Sequence, residues 1–306
     1  MHDAGTAPFR TLTAVAPLDP AAGPAELFAL DPSDGGWRNR VCLLNLGGMM
    51  LGGHIIALGI KAAWLAAREA LPHAVHALLL EGPDPGRPCE LEVETIRDGR
   101  RLAHRTASIR QGSRTGARIT TTLVHPELAR SSPDYHHSAP APSVPAPEDL
   151  PERQALINAL PASTGPLRRG ILQAYPYFDI REVPCDPGQD GRGVFWIRAE
   201  GARGLSPIDQ FCLLALMTDY WFPLPTHHLP GAAEVMGADF VSSSLDHALW
   251  FNTQPDCSDW MLFDMRATAA NGGLSTLRGE AWTRDGRALA TFAQTSILAP
   301  GRRPQA

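Results

Sequence analysis

Two stretches of this chain follow one plan, and that repetition limits the folds open to it more than any other feature. Residues 49–67 form an apolar run that leads into strands with period-2 alternation, and residues 205–219 do the same further on. Thirteen positions separate His76 from Cys89 near the start of the next strand, and thirteen separate His247 from Trp260. The turn Asp98-Gly99-Arg100 is echoed by Asp285-Gly286-Arg287. A helix and a sheet are each apolar on one face, so each helix should be wrapped by its own meander. The expectation is an α+β protein built by internal duplication, with repeats at 1–125 and 167–300. A Pro/Ala/Ser-rich linker at 126–166 would join them, and 301–306 would be a tail.

The local signals supply the elements. Gly47-Gly48 reads as the entry to the first helix, whose free backbone N–H groups would point outward, and Leu71-Pro72 closes it. Leu91, Val93 and Thr95 alternate with Glu90, Glu92 and Glu94, the pattern of a half-buried strand. A return strand over 102–110 and another over 119–124 follow. In the second unit, Ser206 caps a helix that has Pro207 at its first position. Strands are expected at 194–199, 241–251, 260–266, 274–283 and 287–298, with Asn271-Gly272-Gly273 and Asp285-Gly286 as turns.

Composition closes off several function classes. The chain has 306 residues, a net charge of −5 and a pI near 6.1, and no Lys/Arg run interleaved with aromatics, so nucleic acid is not an expected partner. Its five cysteines are scattered with no C-x-x-C pair, which fits reduced thiols in the cytoplasm rather than a disulfide framework or a zinc knuckle. The apolar run at 49–67 carries His54, Lys61 and several glycines, so a buried helix suits it better than membrane insertion. No G-x-x-x-x-G-K-[ST] or G-x-G-x-x-G occurs, so no nucleotide cofactor is expected. The pairs His136-His137 and His227-His228 diverge as neighbours and lack acidic or Cys partners, so no metal is expected either.

Three residues could carry chemistry. Asp219 interrupts an apolar helix between Met217 and Tyr220-Trp221-Phe222. Pattern alone leaves it either a solvated helix end or a partly desolvated general base. Gln294, in the last strand, either faces solvent or turns an amide inward with Phe292 and Ser296. Ser242-Ser243-Ser244 precedes Asp246-His247, yet alternation along one strand separates these side chains and no nucleophile elbow is present, against a Ser-His-Asp triad. Trp64, Tyr220, Trp221 and Phe222 could line an apolar pocket or be ordinary core.

These segments resemble the bacterial acyl-CoA thioesterase II family. The likeness lies in residues 244–251, 259–265 and 284–287 with Ala293-Gln294, and in Gly47-Gly48 and residues 72–76, 82–88 and 92–99 of the first unit. It implies a double hotdog fold with the two sheets continuous. It also implies hydrolysis of an acyl thioester by a water held between an Asp, a Thr or Ser, and a Gln. By motif these are Asp219, Ser244 and Gln294, with no acyl-enzyme. Gly47 and Gly48, with Asn45 beside them, would supply the oxyanion and substrate-binding end, giving one complete site per chain. The implied role is in lipid metabolism, and the implied assembly is a homo-oligomer, a dimer. Departures are also present. Asn252-Thr253-Gln254-Pro255, Glu81-Gly82-Pro83 and Thr295-Ser296 replace His-Arg-Pro, Arg-Pro-Gly and Glu-Gly. Lost basic positions weaken phosphate recognition and point to an altered substrate, such as a carrier-protein thioester. A non-hydrolytic step, such as dehydration or cyclisation, and a non-catalytic acyl-binding role are the alternatives. Asn45 stands where no dehydratase His precedes the first helix.

Overall fold

A computed structural model describes residues 8–300, apart from 20–22, 68, 134, 136, 161–165, 185–190, 221–224, 227 and 232–239. The first half contains β1 (Arg10–Leu12), β2 (Leu30–Ser33), β3 (Gly36–Asn39), β4 (Val41–Leu43), α1 (Gly52–Leu65), β5 (Leu71–Leu79), β6 (Glu90–Asp98), β7 (Leu102–Gln111) and β8 (Arg114–Val124). Three short helices follow: α2 (Pro126–Ser131), α3 (Arg153–Ala159) and α4 (Pro166–Gln173). The second half contains β9 (Phe178–Val183), β10 (Arg192–Ala199), α5 (Pro207–Tyr220), β11 (Phe240–Phe251), β12 (Met261–Asn271), β13 (Leu274–Thr283) and β14 (Ala288–Pro300).

Among the described residues, twelve strands form one sheet in the order β2-β3-β6-β7-β8-β5-β11-β14-β13-β12-β10-β9. Read from its centre, that order is the same in both directions, so each half is one hotdog repeat and the sheet is continuous. The halves meet where β5 pairs antiparallel with β11, Asp246 opposite Leu78 and Trp250 opposite Ala74. The spacing of His76 to Cys89 and His247 to Trp260 marks equivalent strands, β5 to β6 and β11 to β12. The two Asp-Gly-Arg turns do not correspond. Asp98-Gly99 joins β6 to β7, whereas Asp285-Gly286 joins β13 to β14. Such dipeptides recur at any tight hairpin and carry no repeat information. Leu71 and Pro72 also belong to β5 rather than to the end of α1, with Pro72 at a register shift that relieves its missing N–H.

The sheet wraps α1 and α5, which lie antiparallel against each other. Gly53 meets Leu216 and Asp219, the Cys212 thiol points at the Ala57 carbonyl (3.4 Å), and Lys61 Nζ reaches Asp209 Oδ1 (2.6 Å). Both helices are apolar almost all round because both are enclosed. Lys61, the one basic residue inside the first apolar run, is neutralised by this ion pair and lies over the Trp64 ring. Ser206 caps α5 as expected, its Oγ accepting the Asp209 N–H and donating to the Asp209 carboxylate.

The outer face of the second repeat is apolar as well. Trp196, Trp260, Leu262 and Trp282 form a separate buried cluster there. Residues 139–150, read above as linker, cover it: the Trp282 and Trp196 indoles donate to the carbonyls of Ala139 (3.1 Å) and Pro145 (3.0 Å), and Leu150 is buried in the cluster.

Candidate active site

Asp219, Ser244 and Gln294 come from α5, β11 and β14, and they touch one another. Ser244 Oγ donates to Asp219 Oδ1 at 2.9 Å, and Gln294 Nε2 reaches the same oxygen at 2.9 Å and Ser244 Oγ at 2.7 Å. The fourth participant is a backbone group. The Gly53 N–H in the first turn of α1 donates to Asp219 Oδ2 at 2.6 Å. Each repeat therefore contributes to the site. A carboxylate offers about four lone-pair positions, so three donors leave one for a water or substrate.

Burial pushes the Asp219 carboxyl above its usual value. The nearby His247 and the bonds from Ser244, Gln294 and Gly53 pull the other way. The helix-end reading is thereby decided: Asp219 is 4% exposed and hydrogen-bonded on both oxygens. Gln294 likewise faces inward, 1% exposed.

A β-bulge shapes the β11 side. Register shifts between Ser244 and Asp246 where β11 pairs with β14, leaving Leu245 as the extra residue. Strict alternation would put Ser244 and His247 on opposite faces; the added residue returns both to the inner face. The Asp246 carboxylate accepts the Thr295 N–H across the bulge (2.8 Å). His247 is 1% exposed; its Nδ1 lies 2.8 Å from Gln294 Oε1, and Nε2 lies 3.0 Å from Thr218 Oγ1.

Asp219 and Ser244 line a cavity of about 680 Å³. Its walls are mainly apolar, including Leu46, Met49, Ile55, Leu79, Leu80 and Ile171, and it extends to Tyr175 and Tyr220. Tyr220 therefore lines the pocket as one reading held, whereas Trp64 packs in the core beside Lys61; Trp221 and Phe222 lie outside the described residues. Gln294 stands behind Asp219 and Ser244 and holds the two together.

The first-unit residues are placed differently from expectation. Asn45 and Gly47 line the cavity, but Gly47-Gly48 does not open the helix, which starts at Gly52. The N–H groups of Gly47 and Met49 both bond Asn45 Oδ1 (2.9 and 3.0 Å), and that of Gly48 bonds the Asn45 carbonyl (3.1 Å). Asn45 organises an Asx-type turn, which consumes the amides assigned to the oxyanion. The helix N-terminus belongs to the second pair, Gly52-Gly53. The sequence carries a signal for it: that pair is separated from Ile55-Ile56 only by His54, which is itself buried, and Asn45 two residues before Gly47 is a turn former.

Among the described residues, no group of three or more His, Cys, Asp or Glu is placed to hold a metal ion, and no helix is long and apolar enough to cross a membrane. His228 bonds the Arg192 carbonyl, while His136, His227 and Cys185 lie outside the described residues.

Comparison with known proteins agrees with this architecture. The chain is 25% identical over 256 residues to acyl-CoA thioesterase 2 of Haemophilus influenzae, covering 81% of this chain and 87% of that protein. It is 28% identical over 263 residues to mouse acyl-coenzyme A thioesterase 8, covering 81% and 80%. Two solved structures share the fold. The TesB protein of Mycobacterium avium subspecies paratuberculosis superposes with a TM-score of 0.72 at 22% identity, over 90% of this chain and 98% of that one. The acyl-CoA thioesterase II TesB2 of Mycobacterium marinum superposes with a TM-score of 0.68 at 23% identity, over 92% and 99%. Residues 44–124 match the acyl-CoA thioesterase N-terminal domain and residues 141–298 the acyl-CoA thioesterase C-terminal domain, so this chain belongs to the acyl-CoA thioesterase family.

Proposed function

We propose that the protein hydrolyses acyl thioesters, with Asp219 as the general base for direct attack by water. The observation that carries this reading is the convergence of Asp219, Ser244 and Gln294, all within 2.9 Å of one another, against an apolar cavity. Water bound at the free lone pair of Asp219 and at Ser244 Oγ attacks the carbonyl carbon while its proton passes to Asp219. The tetrahedral intermediate collapses with cleavage of the C–S bond, and the thiolate takes the proton from Asp219, leaving a carboxylic acid and a thiol. The oxyanion is assigned to the Gly52 N–H at the N-terminal end of α1, whose dipole is positive there, because Asp219 takes the Gly53 N–H and Asn45 takes those of the Gly47-Gly48 turn.

The acyl chain fits the apolar walls, so the substrate is a fatty or similarly apolar acyl group. Among the described residues, the charged side chains lining the cavity are Asp219 and Glu81, and Glu81 pairs with Arg114. With no cation among the described lining residues, either CoA or a carrier protein can present the thioester. A role in lipid metabolism follows from such substrates, and a reducing cytoplasm suits the four buried, protonated thiols at Cys42, Cys89, Cys212 and Cys257. A homodimer is part of the same reading, since among the described residues the sheet ends on β2 and β9, each with one strand neighbour.

A panel of acyl-CoA and acyl-carrier thioesters, monitored for free thiol, tests the proposal. Thiol release that falls by orders of magnitude in Asp219→Asn is the expected result. Turnover at the unmutated rate in Asp219→Asn would overturn the mechanism. Conversion of substrate without thiol release would overturn hydrolysis itself.

A further inference from the structure

We propose that His247 is a positioning residue for the hydrolytic site, acting through the side-chain amide of Gln294. This rests on the hydrolytic reading above and deepens it. An ionised Asp219 has no proton to give, so the amide nitrogen of Gln294, not its oxygen, must face Asp219 Oδ1 and Ser244 Oγ. Oε1 then points away, toward His247 Nδ1 at 2.8 Å. Two acceptors at that distance repel, so Nδ1 must carry a proton. The imidazole thus fixes which end of the amide meets the carboxylate.

The ring is itself held. Thr218 Oγ1 lies 3.0 Å from Nε2 and 2.8 Å from the Ala215 carbonyl of α5, and Phe292 stacks on the ring at 6.1 Å with a 10° interplanar angle. With the proton on Nδ1, Nε2 accepts, so the single Thr218 hydroxyl proton goes to Nε2, and a chain of donors runs from Thr218 through His247 and Gln294 to the two side chains that face the cavity. Both His247 and Gln294 are 1% exposed, so bulk water cannot replace a lost bond. Without the Nδ1–H, the amide can rotate and present its oxygen to Asp219, which places two acceptors together and moves the carboxylate. The β-bulge at Leu245 brings His247 to the inner face beside Ser244.

The test combines His247→Leu, which removes the donor, with His247→Asn, whose amide nitrogen sits the same number of bonds from Cα as Nδ1. In wild type, His247→Leu is expected to lower kcat about 10- to 100-fold with KM little changed, as a misplaced catalytic group does, and His247→Asn to restore most of it. In a Gln294→Ala background His247→Leu should cost no further activity, because its effect passes through that amide. An equal loss in both backgrounds marks a merely structural role and overturns the proposal, as does wild-type kcat in His247→Leu.

A second readout does not depend on turnover. The Gln294 side-chain NH2 in 15N-labelled protein should be protected from exchange in wild type and His247→Asn, and exchange about tenfold faster in His247→Leu, the worth of one hydrogen bond. Unchanged protection in His247→Leu overturns the proposal. If His247→Leu fails to fold, loss of that protection in folded His247→Asn overturns it too. Absence of thiol release from every thioester, with the exchange result as expected, would sink the hydrolytic reading alone.

Discussion

Replacing Gly53 with alanine should damage the site and the fold together, and the two losses can be worked out separately. A Cβ on Gly53 would stand 2.7 Å from the Leu216 carbonyl oxygen, 2.9 Å from Asp219 Cβ and 3.1 Å from Leu216 Cα. Favourable non-bonded separations are about 3.5 Å or more, and backbone atoms cannot rotate aside, so α1 and α5 must part by roughly half an ångström. Overpacking of this kind costs about 1–3 kcal/mol, and alanine's better helix propensity returns about 1 kcal/mol. A net loss of up to about 2 kcal/mol should lower Tm by several degrees. The activity cost is larger. The 2.6 Å bond from Gly53 N–H to Asp219 Oδ2 lengthens, and a displaced general base can lose about 100-fold in rate. That bond also holds the Asp219 carboxyl down, so the acid limb of the rate profile should move to higher pH. Gly59→Ala is the matched control. The three atoms nearest its Cβ would all belong to the Ile119 side chain, at 2.8 to 3.1 Å, so it should cost stability without costing kcat. Both variants are measured by thermal melting and by thiol release across pH. A folded Gly53→Ala with wild-type kcat, or a Gly59→Ala that loses as much activity at equal Tm, would refute the reasoning.

Three further outcomes are expected. Because burial raises the Asp219 carboxyl and the base must be ionised, kcat/KM should fall as pH drops through a value above the ordinary 3.8, and Gln294→Ala, which removes a bond that lowers it, should shift that limb upward; a limb at or below 3.8 contradicts this. His54 is fully buried, accepts the Leu43 N–H at Nδ1 (3.1 Å) and donates from Nε2 to the Leu27 carbonyl (2.7 Å), and burial lowers it from 6.5 to about 4. The unfolded chain therefore binds the proton more readily, so stability held above pH 6.5 is lost as pH falls toward 4, by roughly 3 kcal/mol at 1.36 kcal/mol per pKa unit; urea unfolding at pH 7 and pH 4 should differ accordingly, and His54→Gln should flatten the difference. Burial pushes the Cys42 and Cys89 thiols up to about 12 and about 11, and raises Cys212 and Cys257 as well, so a disulfide reagent should find at most one prompt thiol of the five in the folded protein, and all five in denaturant.

The duplication and most strands could be read directly because they rest on local periodicity. Alternation in Glu90–Thr95 and the continuous apolar helices are consequences of which face each residue must bury, and that face is written residue by residue. The three residues proposed for the site were also legible: an Asp inside the apolar run ending at Tyr220, and a Ser and a Gln in strands that pair, through their likeness to a family motif. What could not be read was which backbone amides serve the site and how the side chains meet. Two Gly-Gly pairs lie five residues apart, and only packing against α5 selects Gly52-Gly53 as the helix start, while Asn45 claims the other pair for a turn. Strand parity predicts that Ser244 and His247 diverge, and only pairing with β14 creates the bulge that reverses it. Periodicity constrains the face a residue occupies within one element; the distances among Asp219, Ser244, Gln294 and Gly53 depend on four elements from both repeats, and closing the sheet at β5 and β11 is what brings them together.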